Sequence, residues 1–240
     1  MAVNPVGSSV SKNETTTAAT ISVDISWDPS VNNGGIIVGV AGRMDRSLET
    51  FTSLTIDGQA ITTFVETSGT NDKFARIYTA IEADLPVGSG TVTITATFGQ
   101  NENWRYVAAQ QVENLDQSTP FTGSVIYGDT NTVITLNVTN DGVDELCFGI
   151  CHDSQDVGLS KGSGDTLVGV VGTGSSRSAG MSYEQGNIGL STQLQWTATA
   201  STFGRAIGIA LNHAGGPTAG GNPTLAEAPT EASVPLNWTT

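Results

Sequence analysis

The chain has 240 residues, enough to bury a core without disulfide or metal staples. Nine Lys and Arg against 23 Asp and Glu give a formal net charge of −14, which works against nucleic-acid binding through phosphate neutralisation and repels anionic membrane surfaces. Glycine (29 residues), with Thr and Val throughout, favours short strands and tight turns over helices.

The opening stretch, MAVNPVGSSVSKNETTTAAT, carries neither the basic nor the apolar segment of a secretory signal. No run approaches the ~18 apolar residues of a membrane span. The expectation is a chain that works in the cytoplasm, leaves the cell inside a larger particle, or is cut from an exported protein; two cysteines fit the first two settings. Texture divides the chain into an N-terminal arm (1–17), a folded domain (18–212) and an extended C-terminal arm (213–240) rich in Gly, Pro, Ala and Thr. Such ends order only when tied down, so the arms are expected to lie against the body or against neighbouring chains.

Within the domain, Ile21, Val23, Ile25 and Trp27 alternate with Ser22, Asp24 and Ser26, as in a half-buried strand. GIIVGVAG follows, and then SLTI and QAIT flank Asp57-Gly58, a two-residue type I′ hairpin turn whose positive φ angles suit both residues. FARIYTAI comes next, then a second alternating run at Val92, Ile94, Ala96 and Phe98, then WRYVAAQQV and GSVIYG. Ile134, Leu136 and Val138 alternate again, and DELCFGIC, TLVGVVG, QLQWTATA and GRAIGIAL complete the series. RSLETF and TAIEADLP allow a turn of helix at most. Roughly a dozen short strands predict an all-β fold, an antiparallel two-sheet β-sandwich with extended terminal arms.

CFGICHD, residues 147–153, gathers two cysteines, a histidine and an aspartate. On a strand Cys147 and Cys151 share a face about 13 Å apart, at a rise of about 3.3 Å per residue. A disulfide needs Cα atoms within about 7 Å, so the pair can bridge only to another chain. The same distance defeats a single tetrahedral metal ion. His152 faces away from Cys151, so a thiol–imidazole couple is not expected either, and both cysteines read as small buried hydrophobes. The centre of the segment, FGI (148–150), has counterparts in VGV (38–40), VGV (168–170) and IGI (207–209). Near-continuous apolar runs predict strands covered on both faces, with glycine admitting a close neighbour. These four strands are expected to form the central sheet.

No catalytic or nucleotide-binding motif occurs, and the glycine-rich GSGD and GTGSSRS open no helix that could cradle phosphate. Asp141, Asp144 and Glu145, or Asp153 and Asp156, could gather calcium, although Asp beside Gly and Asn is ordinary turn chemistry. No cofactor or metal is expected. Trp104, Tyr106 and Trp196 could form a sugar-stacking platform, but Trp196 shares a face with Leu194 and reads as core. Leu236 and Trp238, in the terminal arm, read as an anchor for a partner's groove.

GGIIVGVAG, FTSLTIDGQAIT, ARIYTAIEADLPVGSGTVTITATF, YVAAQQVENLDQSTPF and GRAIGIALN occur in an order that resembles a family of β-sandwich modules. That family is found in bacterial surface-protein repeats and in bacteriophage virion proteins. The likeness spans about residues 34–212, with LTIDGQAIT, LPVGSGTVTIT and VENLDQSTPF its most specific parts. It implies a jelly-roll-like fold and no enzymatic activity. The first expectation is a phage virion protein, a capsid decoration or cement protein. It would be a homo-oligomer, with a trimer the favoured form, that binds other virion proteins such as the major capsid protein and neither nucleic acid nor membrane. The alternative is a carbohydrate-binding or adhesive module of a tail appendage or bacterial cell surface, using Trp104 and Tyr106. A glycan hydrolase is a third reading, with no preferred carboxylate pair.

Overall fold

Period-two alternation sorts the side chains of each strand onto two faces, and here it produces three apolar layers between stacked sheets. The computed structural model describes residues 1–15, 18–43, 51–67, 73–102, 104–140, 144–153, 158–169, 171–174, 177–186 and 191–215. In chain order the strands are β1 (Asn4–Glu14), β2 (Ala18–Trp27), β3 (Gly35–Arg43), β4 (Phe51–Ile56), β5 (Gln59–Ala60), β6 (Phe64–Glu66), β7 (Lys73–Ile81), β8 (Gly90–Glu102) and β9 (Arg105–Glu113). There follow β10 (Phe121–Thr139), β11 (Leu146–Asp153), β12 (Ser160–Lys161), β13 (Thr166–Leu167), β14 (Gly172–Gly174), β15 (Arg177–Gln185) and β16 (Ser191–Leu211). A single 3-10 turn, Glu82–Asp84, lies within TAIEADLP, and no α-helix occurs among the described residues.

The fold is all-β and its strand pairs are antiparallel. Residues up to Glu113 make two sheets, β2-β8-β4-β5 and β1-β9-β3-β7-β6, and β10 onwards makes a third built around β10-β16-β11-β15-β13. In β3, Ile36, Val38 and Val40 face the first sheet, where Ile25, Leu54, Ile94 and Phe98 receive them. Ile37 and Ala41 face the third sheet and meet Phe148, Ile150, Met181 and Ile207. The third layer arises because β10 and β16 are long and shift register between Asn131 and Val133. Their distal halves fold over the back of β11, placing Ile134, Leu136, Val138, Leu194 and Trp196 against Cys147 and Cys151. We call this folded-back hairpin the outer ribbon.

Several expectations change. Three sheets replace two, since β3 and β11 are each apolar on both faces and each needs cover on both sides. The four glycine-centred runs do not share one sheet. Val38–Val40 lies in the second sheet, while Phe148–Ile150 and Ile207–Ile209 are neighbours in the third, with Gly149 directly opposite Gly208. Valine 168 starts no strand: Gly169 takes φ +71°, and the chain bends there against Ser11. GSVIYG and the 134–138 run are one strand, β10; QLQWTATA and GRAIGIAL are one strand, β16. The 1–17 segment, expected as an arm, carries β1, which pairs along β9 and puts Val3 into the middle layer. The Asp57-Gly58 turn takes φ of 48° and 84°, as expected of type I′. The last 25 residues lie outside the described residues.

Candidate functional site

The CFGICHD segment lies on β11, and the two faces of that strand part its reactive side chains. Cys147, Gly149 and Cys151 point to the outer ribbon, whereas Phe148, Ile150 and His152 point to the middle layer. Both cysteines are free and fully buried. Burial pushes the Cys147 thiol up to about 11, against weaker hydrogen bonding from Thr192 and Asn140, and burial also pushes the Cys151 thiol well above its ordinary value. A thiol that stays protonated is a poor nucleophile and a poor metal ligand. His152 is buried on the opposite face, with its ring stacked on Trp104 at 5.1 Å and 7°. The strand thus separates the thiols from the imidazole.

Trp104 and Tyr106, proposed for sugar stacking, are both 0% exposed. Trp104 leads into β9 and Tyr106 follows on the same face, so both rings lie in the middle layer between the second and third sheets. Desolvation raises the Tyr106 hydroxyl well above its usual range, against hydrogen bonds involving the Met181 backbone and Ser11. Neither ring offers a face to a glycan in this fold. Trp196 is buried on the inner face of the outer ribbon, as its spacing from Leu194 predicts.

Of the calcium candidates, Asp141 and Asp156 lie outside the described residues. Asp153 is fully buried on the outer-ribbon face of β11, and Asp144 and Glu145 serve through their carbonyls, which accept N–H groups of Val3 and Gly186. No group of three or more potential metal ligands occurs among the described residues. Leu236 and Trp238 also lie outside them.

Two surface recesses among the described residues bring carboxyl groups together. One, about 220 Å³, is lined by Ile56, Asp57 and Gln59 on the hairpin turn and by Ala83–Pro86 on the connection beyond β7. Its two carboxylates already serve the backbone: Asp57 accepts the Thr93 N–H at 2.7 Å and Asp84 accepts the Ile81 N–H at 3.2 Å. The other, about 240 Å³, is polar and lies where GSGD crosses from the outer ribbon to β15. Asp165, almost wholly buried, accepts the Gln195 N–H at 2.9 Å and the Ser182 hydroxyl at 3.4 Å. Glu184 of β15 reaches the same spot. Its carboxyl titrates above the ordinary glutamate range because of desolvation, the neighbouring Asp165 charge and a hydrogen bond with Asp165. GSGD stands out in the sequence only as a glycine-rich turn; nothing local links it to Glu184, 19 positions on, since the strap that joins them is a tertiary feature.

Two carboxyl groups in hydrogen-bonding contact can share a proton. No protein-family model matches the chain, and no curated protein matches it.

Proposed function

We propose that this chain is a structural protein of a bacteriophage virion, a capsid decoration or cement protein that stabilises the particle through subunit contacts. Strand order is the observation that carries this reading. In the first half, β1-β9-β3-β7-β6 and β2-β8-β4-β5 form facing sheets, and the chain passes between them at each step except the β4–β5 and β6–β7 hairpins. The first strand lies beside the last, an arrangement that supports a jelly-roll-like description of two nested Greek keys, an architecture common to capsid and lectin domains. Burial of the cysteines, His152, Trp104 and Tyr106 supports a scaffold over a reaction centre.

In this reading the protein is a homo-oligomer, with a trimer favoured, that contacts the major capsid protein and resides in the virion. On the same reading the C-terminal arm, 213–240, would be the clasp, with Leu236 and Trp238 as its apolar anchors; large buried aromatics dominate the energetics of such contacts. Mutual burial and strand addition at sheet edges supply the adhesion, with no catalytic step.

Truncating residues 213–240 and measuring retention on purified particles tests the proposal. Loss of the truncated chain, with Trp238→Ala intermediate, is expected. Undiminished retention of both would remove the clasp. An adhesive module of a tail appendage or cell surface would instead bind glycans, and because Trp104 is buried, a glycan-array signal would have to map to residues other than the aromatic pair first considered.

A further inference from the structure

Residues 158–169 form a strap across two layers. At one end, Gly158 N–H donates to Thr199 Oγ1, β12 pairs with Thr197 and Trp196 of the outer ribbon, and Gly162 N–H donates to the Gln195 carbonyl at 2.7 Å. At the other, β13 pairs with Tyr183 and Ser182 of β15, and Val168 N–H donates to the Met181 carbonyl at 2.9 Å. Asp165 sits at the crossover and holds both sides at once, through the Gln195 N–H and the Ser182 hydroxyl. Glu184 closes the recess from β15, so near the strap that a Cβ built on Gly164 would stand 2.6 Å from its Oε1.

The electrostatics around this junction are one-sided. From the strap, Lys161 directs its ammonium to the Gly162 carbonyl at 3.1 Å. From β15 come Glu184 itself and Tyr183; from β11 comes Cys147, directly opposite Glu184, with Glu145 acting on the same thiol. The outer ribbon contributes the neutral amides of Gln193 and Gln195, held by Asn137 and Thr135. Asp165 is the charge that acts on Glu184. Two carboxylates in contact without a cation between them repel when both ionise, and a shared proton removes the repulsion.

We propose that Asp165 and Glu184 form a proton-operated clasp that locks the strap between the outer ribbon and β15 when one proton is shared and loosens it when both groups are ionised. The sign follows from linkage. Glu184 titrates higher in the folded chain than in the open one, so its contribution to closure is complete below the ordinary glutamate value of 4.5 and is lost as pH rises through the folded value above it. Opening of the strap should increase about tenfold for each pH unit by which Glu184 titrates above its ordinary value.

Hydrogen exchange on the full chain, expressed as protection relative to intrinsic exchange, tests this. Protection of the Gly162, Gln195 and Val168 amides should fall as pH rises through the Glu184 titration, while amides of β3 and β11 stay constant. In Glu184→Gln, which keeps the shape and cannot ionise, protection should hold across the same range. A pH-independent strap, or the same loss in Glu184→Gln, would overturn the proposal. Side-chain carboxyl NMR gives a second readout: Glu184 is expected to titrate above the ordinary glutamate value, and an ordinary Glu184 curve would also overturn the proposal.

Discussion

At Gly149 a methyl group has nowhere to go. A Cβ built there stands 2.7 Å from Trp196 Cη2 and 2.8 Å from Leu194 Cδ1, and one on its strand partner Gly208 stands 2.7 Å from Val138 Cγ2. The glycine pair therefore sets how closely the outer ribbon lies on the third sheet. Gly149→Ala should cost about 1–3 kcal/mol by overpacking, read from a shift in denaturation midpoint with unchanged slope. The flanking thiols make a second residue-scale prediction. With burial holding Cys147 up to about 11 and Cys151 well above its ordinary value, both fully buried, a thiol reagent should label neither at neutral pH until the chain unfolds. Rapid labelling of the native protein would show that the ribbon opens readily.

At the scale of elements, legibility in the sequence tracks how each strand is held. β2, β8 and the distal half of β10 alternate cleanly because one face is buried and the other wet, and the buried runs of β3 and β11 announce cover on both sides. β1 reads as an arm because NPVGSSVSKNE lacks that alternation: backbone pairing to β9 holds it, together with Val3 at its start. β15 gives a weak signal for a related reason. RSAGMSYEQ presents Ser178, Gly180 and Ser182 to the outer-ribbon side, so only Ala179, Met181 and Tyr183 carry an apolar signal. The order of the layers was not legible at all, since nothing local in β10 or β16 says that a long hairpin will fold back on its own sheet. β1 also ties the two halves of the chain together, through Val3 N–H to the Asp144 carbonyl, Gly169 N–H to Ser9 and Asn13 to the Thr173 carbonyl. Deleting residues 1–14 should unpair the β9 edge and promote edge-to-edge association, visible as a rise in mass by light scattering.

At the scale of the molecule, the residues before Asn114 and those after Pro120 each build stacked sheets, yet the middle layer draws on both, from Ile37, Ile77 and Trp104 to Phe148, Met181 and Ile209. The connection is pinned as well: Leu115 N–H donates to the Asn33 carbonyl, Asp116 N–H to that of Asn212, and Leu115 bridges to His213. Halves that share a core should unfold together. Trp27 reports on the first layer and Trp196 on the third, so single-tryptophan variants retaining one or the other should give coincident denaturation curves. Separate transitions would mean two independent sandwiches.

The proposed role in a virion requires the protein to be present on the particle in fixed number. Quantitative mass spectrometry of purified virions from the source that encodes this chain is the most direct measurement. A constant ratio of this protein to the major capsid protein, preserved through density-gradient purification, is the expected result; absence from the particles, with the protein recovered elsewhere, would contradict a structural role in the virion.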